Sequence, residues 1–479
     1  MLSKAKILLP TSPFARGVSI LVSGTAGAQT LVILSVPLLT RLYTPDDFGL
    51  LAVYGGVLTL FAGVASLRYE LAIPLPKNQH ESANVLVLSL LLVLFMTGVS
   101  AVIVLMAGHQ IADHLGVPTL ASHFWLLPVG IFFSGCYKVF SYWAVRNKAF
   151  SVIAKTRISQ TFVTLAVQMM GFNLGGITLV LGQVAGQVVG MVRLTKTALM
   201  HSDALQWSWL GVWEAARRYK QFPIFSTWSG LFRTAGSQLP PVMFAALFNA
   251  SAAGLYSLAH RVLALPMSMV GGAIGQVFFS NAAEAYREDR LAPLVARVHE
   301  ILAKIAMPPV LMLIIAGPEL FALVFGEQWR QAGDMARWMA PWLYFAFITS
   351  PLDNLFSILE KQRQGVVING ISLALRVLSI GAGAWYDDLM TAVILFAASS
   401  ALCRAGLLLW IAVVTKNSAS VILMATLKPV VFSMLSLLPI TLAFSSQTTT
   451  ITWWLLAATL SAVLLAGYYW PLVRNVYAQ

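Results

Sequence analysis

The chain has 479 residues, of which 58% are hydrophobic and only 10% are charged, and its mean hydropathy is +0.78. Soluble domains carry about 25% charged residues, so this composition excludes an ordinary water-soluble protein and indicates one that lies mostly in lipid. The formal charge of +13 does not by itself indicate nucleic-acid binding, since basic residues in a membrane protein first report its topology.

About fourteen apolar stretches are long enough to cross a bilayer, which takes roughly 20 helical residues. In chain order we predict spans over 17–39, 49–73, 84–107, 121–145, 150–172, 175–198, 222–248, 251–280, 296–316, 335–358, 362–384, 389–415, 424–444 and 451–473. Lys4, Lys6 and Arg16 precede the first span, but no small-residue cleavage site follows, so this span is expected to stay uncleaved. The sequence therefore predicts an all-α integral membrane protein.

Basic residues alternate in density between successive connections. If the N-terminus is cytoplasmic, about nineteen Lys and Arg residues fall on the cytoplasmic side, and about two, Arg41 and Arg330, fall on the other side. Such a bias is typical of cytoplasmic loops. It predicts that both termini lie in the cytoplasm and supports the count of about fourteen spans.

A weak internal repeat predicts two pseudo-symmetric lobes. VPLLTRLYTPDDFGLLAVY before the second span and PPVMFAALFNASAAGLYSLA before the eighth share a proline, an apolar run, a polar turn and a Gly-Leu pair, Gly49-Leu50 or Gly254-Leu255. Repeat-built lobes are typical of secondary transporters. We predict a six-helix lobe over 1–205, a second over 206–415 and two additional helices over 416–479. The connection 317–334 is expected to lie along the membrane surface.

Several predicted spans contain charged residues. A charge at the bilayer centre costs about 2.5 to 3.5 kcal/mol on insertion scales, so these side chains are expected to face a shared interior. The cations are Arg68, Lys138, Arg233, Arg261, Arg376 and Arg404, and the clearly intramembrane acids are Glu70 and Asp353. Each arginine could be purely structural, but two acids cannot neutralise six cations. The excess predicts an anionic ligand, and guanidinium groups match phosphate oxygens.

Residues three or four apart share a helix face, and three spans carry polar stripes that include an arginine. The stripes are Arg157, Gln160, Thr164 and Gln168; Ser226, Ser229, Arg233 and Ser237; and Asn369, Ser372, Arg376 and Ser379. A run of small residues, Gly182, Gly186 and Gly190, predicts close helix packing. His260 could titrate near neutral pH, but a hydrogen-bonded spacer is the more common role of such a residue.

Features of an enzyme or a cofactor protein are sparse. No phosphate-binding G-x-x-x-x-G-K-[ST] loop occurs, and Cys136 and Cys403 lie in apolar stretches, which argues against a disulfide framework or thiolate metal site. Asp46 and Asp47 could be catalytic in a membrane glycosyltransferase, but their connection is short, and a role at a helix N-terminus explains them better. We expect no enzymatic activity and no cofactor beyond coupling to H⁺ or Na⁺, for which Glu70 and Asp353 are the candidates.

Four blocks of the chain resemble a known transporter family. They are SVPLLTRLYTPDDFGLLAVY, LRYELAIPLP at 67–76, residues 219–288 and GPELFALVFGEQWRQAGDMARWMAPW at 317–342. They resemble the bacterial oligosaccharide flippases (Wzx-type) of the multidrug/oligosaccharidyl-lipid/polysaccharide superfamily. Arg68 and Glu70 lie in RYELAI and Arg261 in AHRVLALP, both recognisable motifs of such flippases, whereas Arg376 and Arg404 lie outside them.

This resemblance implies a function and a location. Such flippases have two six-helix lobes around a central cavity that opens alternately to each side of the bacterial inner membrane. They move undecaprenyl-pyrophosphate-linked oligosaccharides for O-antigen, capsule or exopolysaccharide assembly, alongside a polysaccharide polymerase and a chain-length regulator. The pyrophosphate would be the anion bound by the cavity cations. A lipid II flippase and a multidrug or cation antiporter of the same superfamily remain the alternatives, and a membrane polymerase or ligase is a further one.

Overall fold

The computed structural model describes residues 13–200, 206–266, 271–445 and 451–477. Within these ranges the chain is helical almost throughout and contains no β-strand. The helices are α1 (Pro13–Leu42), α2 (Pro45–Val64), α3 (Gln79–His114), α4 (Leu126–Arg146), α5 (Phe150–Met170), α6 (Ile177–Leu199), α7 (Trp209–Arg218), α8 (Thr227–Leu247), α9 (Ala250–Pro266), α10 (Gly272–Arg287), α11 (Leu291–Phe325), α12 (Arg330–Thr349), α13 (Leu355–Ile358), α14 (Gln362–Trp385), α15 (Leu389–Val414), α16 (Ala419–Ser445) and α17 (Ile451–Tyr477).

Length and composition alone qualify eight of the described helical segments as membrane spans: Ser19–Leu42, Pro45–Val64, Gln79–His114, Ile177–Leu199, Leu291–Phe325, Gln362–Trp385, Leu389–Val414 and Ser420–Ala443. The predicted all-α membrane class is confirmed. The contacts group the chain into two compact units, Met1–Gly254 and Leu255–Gln479. The predicted division after residues 205 and 415 stays a prediction.

Within the first unit, α5 packs against both α1 and α6, and α2 packs against α8. The predicted close packing of the glycine run is confirmed, because a Cβ on Gly182 would lie 2.6 Å from Gln168 Cγ and one on Gly190 2.8 Å from Gln160 Cγ. The stripe of α5 is therefore a packing surface for α6. Arg157, at its other end, donates to Thr25 of α1.

The internal repeat corresponds to matching local structure. Thr44 caps α2, its hydroxyl accepting from the Asp47 amide while Asp47 accepts in return, and Asn249 Oδ1 likewise accepts from the Ala252 amide at 2.8 Å. Thr44 is thus the N-cap, and Asp47 completes a capping box three residues later. Asp47 helps begin the helix as predicted, although the cap itself lies one turn earlier.

Within the second unit, α11 packs against α12 and α16, α12 against α15, and α14 against α15. Within the predicted connection 317–334, α11 continues to Phe325 after a kink at Ala316, and α12 begins at Arg330. That this connection lies along the membrane surface stays a prediction. Gly317 and Gly333 bring these helices together, since a Cβ on Gly317 would lie 2.7 Å from the Gly333 carbonyl oxygen. These two glycines allow α11 and α12 to pack as a tight helical hairpin.

Two predicted spans are interrupted where charged residues lie. Helix α2 ends at Val64, and a 3₁₀ turn over Tyr69–Ala72 follows it. Helix α12 ends at Thr349, and a 3₁₀ turn over Pro351–Asn354 contains Asp353. Proline lacks the N–H that would continue a helix, which explains the second break. Neither Arg68 nor Asp353 therefore lies in the continuous helix that was predicted.

Candidate functional site

In the first unit, the backbone around Arg68 adopts an uncommon conformation. Leu67 has φ 47° and Arg68 has φ 63°, so both are left-handed. For residues with a Cβ this conformation costs roughly 1–2 kcal/mol each, and such strain is concentrated at functional sites. The break turns the chain sharply between α2 and the 3₁₀ turn.

Glu70 follows this break and is almost completely buried, with 2% of its surface exposed. The Ser66 hydroxyl donates to its Oε2 atom. Lys138 of α4 lies within electrostatic range of Glu70 and Arg68, but its ammonium donates to the Ala62 carbonyl at 2.8 Å. Among the described residues no Lys or Arg nitrogen lies within 4.0 Å of the Glu70 carboxylate. Glu70 is thus a buried acid held by a hydroxyl group.

Helix α8 brings a further arginine to this region. The Arg68 guanidinium lies against Gly230 of α8, where a Cβ would come within 2.7 Å of Arg68 Cζ. Arg68 Nε is buried and has no hydrogen-bond partner in the structure. Arg233 lies three residues further along α8, is exposed, and shares with Arg68 and Glu70 the electrostatic neighbourhood of Tyr142. A π-helical turn, Phe222–Ser226, precedes α8, and such turns are frequent at functional sites.

The first unit therefore gathers four of the predicted site residues into a single region. Arg68, Lys138 and Arg233 contribute three positive charges, and Glu70 contributes one negative charge. None of the three cations forms an ion pair with a carboxylate in the described ranges. This region, the first cationic cluster, has unbalanced positive charge and a buried guanidinium nitrogen without a partner.

In the second unit, Arg376 of α14 lies on an aromatic surface. Its Cζ atom is 5.3 Å from the Trp342 ring centroid and 5.9 Å from that of Phe396. Its Nε donates to Ser400 Oγ at 3.1 Å. The two rings meet edge to face at 5.1 Å. An aromatic face attracts a guanidinium without neutralising its charge.

Arg404 of α15 is paired. Its Nη1 atom lies 3.3 Å from Asp353 Oδ2 and 3.4 Å from Thr349 Oγ1. The pair is partly exposed, with 25% of the Arg404 side chain and 44% of the Asp353 side chain accessible. The structure thus assigns Arg404 a carboxylate partner.

Arg261 of α9 is exposed and forms no ion pair among the described residues. The neighbouring His260 lies within electrostatic range of both Arg261 and Arg376. Its ring stacks between Tyr256 and Trp342, with centroids 5.8 Å from each. We call Arg261, Arg376, Arg404 and Asp353 the second cationic cluster, and it too carries more positive than negative charge.

Sequence reasoning missed the residues that hold these charges in place. Ser66, Tyr142 and Gly230 surround the first cationic cluster, and Trp342, Phe396 and Ser400 hold Arg376. One signal was available in the sequence, since Trp342 lies in the block 317–342 that resembles the flippase family. Three or more His, Cys, Asp or Glu residues arranged to hold a metal do not occur in the part of the chain that the structure describes.

The chain is similar to known proteins in sequence and in fold. A family model described as polysaccharide biosynthesis protein matches residues 38–334, which is more than half of the chain. No curated protein sequence matches the chain. The lipid II flippase MurJ in an inward closed conformation superposes with a TM-score of 0.73 at 12% identity, covering 95% of this chain and 99% of that chain.

Transporters of the MATE family are also similar in fold. An inward-facing multidrug resistance MATE family transporter of the MOP superfamily gives a TM-score of 0.65 at 16% identity, covering 82% of this chain and 96% of that one. A MATE structure in complex with MaL6 gives 0.56 at 15% identity, with 85% and 98% covered. At these identities the likeness concerns the fold alone, which is that of a membrane transporter or flippase.

Proposed function

The chain belongs to the family of polysaccharide biosynthesis proteins, and from that membership we propose that it translocates undecaprenyl-pyrophosphate-linked oligosaccharides across the bacterial inner membrane. The product would serve O-antigen, capsule or exopolysaccharide assembly, together with a polymerase and a chain-length regulator. Transport would proceed by alternating access, with both termini in the cytoplasm. The chain is an integral membrane protein with a transporter fold, which supports this proposal.

The unbalanced positive charge of the first cationic cluster carries the proposal. Arg68 and Arg233 lie near each other on separate segments, neither has a carboxylate partner within the described ranges, and Arg68 retains a buried unpartnered nitrogen. A pyrophosphate supplies several acceptor oxygens in the geometry that guanidinium groups bind. Arg261 and Arg376 offer the same chemistry in the second unit. Lys138 and Arg404 would contribute charge rather than direct contacts, because each already has a partner.

A cationic drug is a poorer fit than an anionic headgroup. An antiporter for cations would be expected to have an excess of acids at its binding site, whereas each cluster here has three cations and one acid, Glu70 or Asp353. Lipid II also carries a pyrophosphate, so the charge argument applies to it as well. For coupling to H⁺ or Na⁺, Glu70 is the better candidate of the two acids, because it is buried and has no cationic partner within 4.0 Å among the described residues.

Complementation of a flippase-deletion strain tests the proposal. Arg68→Ala and Arg233→Ala should abolish export of the surface polymer at normal protein level, whereas Arg41→Ala, which removes an exposed arginine at the end of α1, should complement fully. In proteoliposomes, each site variant should bind the pyrophosphate-linked substrate about 10- to 100-fold more weakly, since a hydrogen bond to a charged group contributes about 1.5–3 kcal/mol. Full complementation by both site variants would refute the proposal.

Depletion of the protein separates the two lipid substrates. Loss of a surface polymer without lysis is expected for an oligosaccharide flippase, whereas lysis on depletion would indicate lipid II as the substrate. An assay with labelled lipid-linked substrates in proteoliposomes would then compare both directly.

A further inference from the structure

The short helix α7 presents an unusual face to its surroundings. Its inner side is buried through Val212 and Ala215. Its outer side exposes the large apolar side chains of Trp209 (67%), Leu210 (70%) and Trp213 (62%), and Trp207, just before the helix, is 38% exposed. Large exposed apolar patches mark interaction sites. This number of exposed tryptophans therefore indicates that the outer side of α7 contacts something other than water.

Polar contacts hold α7 in a defined position. The Ser208 amide donates to Asn84 Oδ1 of α3 at 2.9 Å, and Gly211 lies against the same amide group, where a Cβ would come within 2.7 Å of Asn84 Cγ. Arg218 pairs with Glu81 of α3. These contacts prevent α7 from turning its aromatic face inward. The exposed face is therefore a fixed feature of the fold.

The last turn of α7 and the residues just after it are basic. Arg217 and Lys220 are exposed, and neither forms an ion pair with a carboxylate within the described ranges. The Arg217 guanidinium lies 5.7 Å from the Trp213 ring centroid, so it sits at the edge of the aromatic face. The charged groups here are the cations Arg146, Arg217, Arg218 and Lys220 and the carboxylates Glu81 and Glu214. The cations are in excess.

Tryptophan beside lysine and arginine is the combination that proteins place at a membrane–water interface. We propose that α7 lies flat in that interface and that Arg217 and Lys220 bind the phosphate of an anionic phospholipid headgroup. The rings of Trp209 and Trp213 lie at the level of the headgroups. Arg218, already paired with Glu81, anchors the helix and does not bind the lipid.

This lipid site is linked to the first cationic cluster. The Tyr69 hydroxyl donates to the Ala216 carbonyl of α7 at 2.9 Å, and Tyr69 lies between Arg68 and Glu70 in sequence. A lipid that holds α7 in the interface therefore also positions the turn that carries these two residues. This regulatory consequence rests on the proposed function, whereas lipid binding itself does not.

Native mass spectrometry of the full chain tests the lipid site without any transport assay. The protein is released from bilayers of phosphatidylcholine containing phosphatidylglycerol, and retained phosphatidylglycerol is counted. The double variant Arg217→Ala with Lys220→Ala should retain it about tenfold or more weakly, because each basic residue near an anionic surface contributes about fivefold. The matched control, Lys361→Ala with Arg363→Ala, removes the same two residue types elsewhere and should retain wild-type binding.

Two further measurements make the outcome decisive. Arg217→Lys with Lys220→Arg preserves the charge and should restore lipid retention, which separates charge loss from misfolding. A fluorophore on Leu210→Cys, with Cys136 and Cys403 replaced by alanine, should be quenched by lipids brominated near the headgroup. Wild-type phosphatidylglycerol retention by the double alanine variant would overturn the proposal. Quenching by aqueous iodide without quenching by lipid would do so as well, since it would leave the face open to water or to a soluble partner.

Discussion

Gly49 and Gly254 occupy equivalent positions in the internal repeat and make reciprocal contacts. Gly49 lies against the Ala250 carbonyl at the start of α9, and Gly254 lies against the Pro45 carbonyl at the start of α2. A Cβ on Gly254 would also come within 2.9 Å of the Gly49 nitrogen. Each helix start therefore receives the glycine of the other repeat, which is the arrangement expected of a local two-fold relationship.

Gly49→Ala and Gly254→Ala should each destabilise the protein by about 1–3 kcal/mol, because the added methyl group meets backbone that cannot move away. Gly98→Ala on α3, where nothing lies within 4 Å of the added atom, should leave stability unchanged or raise it slightly, since alanine favours the helix. Thermal unfolding in detergent measures all three. Equal melting temperatures for Gly49→Ala and Gly98→Ala would contradict the reciprocal contact.

The packing of α5 against α6 predicts that a second substitution restores the stability lost by a first one. Gly190→Ala should lower the melting temperature, because its Cβ meets the Gln160 side chain. Adding Gln160→Ala removes the obstructing atoms and should recover most of the loss. The same thermal assay applies, and a double variant no more stable than Gly190→Ala alone would show that these two residues do not contact each other.

The Arg404–Asp353 pair should show a coupling energy of about 1 kcal/mol in a double-mutant cycle, because partly exposed ion pairs contribute little more. Asp353→Ala leaves the arginine without its carboxylate, and Asp353→Ala with Arg404→Ala should be less unstable than the two single effects added together. The unfolding free energies of the four proteins give the coupling. Strict additivity would mean that the 3.3 Å contact contributes nothing.

Arg376 offers a test of guanidinium chemistry against charge alone. Arg376→Lys keeps the charge but loses the planar fork and much of the stacking on Trp342, so polymer export should fall severalfold or more. Trp342→Phe keeps an aromatic face beneath the arginine and should reduce export less. Export is measured at matched protein level. Normal export by Arg376→Lys would exclude bidentate phosphate binding by this residue.

Asp388 caps α15 and predicts a pH effect on stability. Hydrogen bonds from the Thr391 hydroxyl, and then from the Thr391 and Met390 amides, hold the pKa of the Asp388 carboxyl below its usual range. A lowered pKa in the folded state stabilises the protein above the unfolded pKa of about 3.9. That stabilisation is lost as the pH falls through the folded pKa. Asp388→Ala should therefore melt below the wild type at pH 6 and approach it at pH 3, and a constant difference across that range would disprove the assignment.

The sequence by itself determined the class of the molecule. Long apolar stretches with few charges can form only helices in lipid, where every backbone polar group must be satisfied internally. The repeat around Gly49 and Gly254 was also readable, as two similar stretches of sequence. The glycine run from Gly182 to Gly190 was readable because its four-residue spacing places the glycines on one helix face. These signals are local or periodic in the sequence, so they do not depend on how distant segments of the chain pack.

Only the tertiary structure decided what each charged residue does. Arg404 meets Asp353 across 51 residues of sequence, and Arg376 rests on Trp342 and Phe396, which lie on two other helices. The helix breaks before Arg68 and Asp353 could likewise not be predicted, because each lies within an apolar run that is long enough to form one continuous helix. A charged residue within an apolar span shows from the sequence alone that its burial costs free energy. The partner of that residue depends on which helices pack together, and this packing is determined by side-chain contacts between segments distant in sequence.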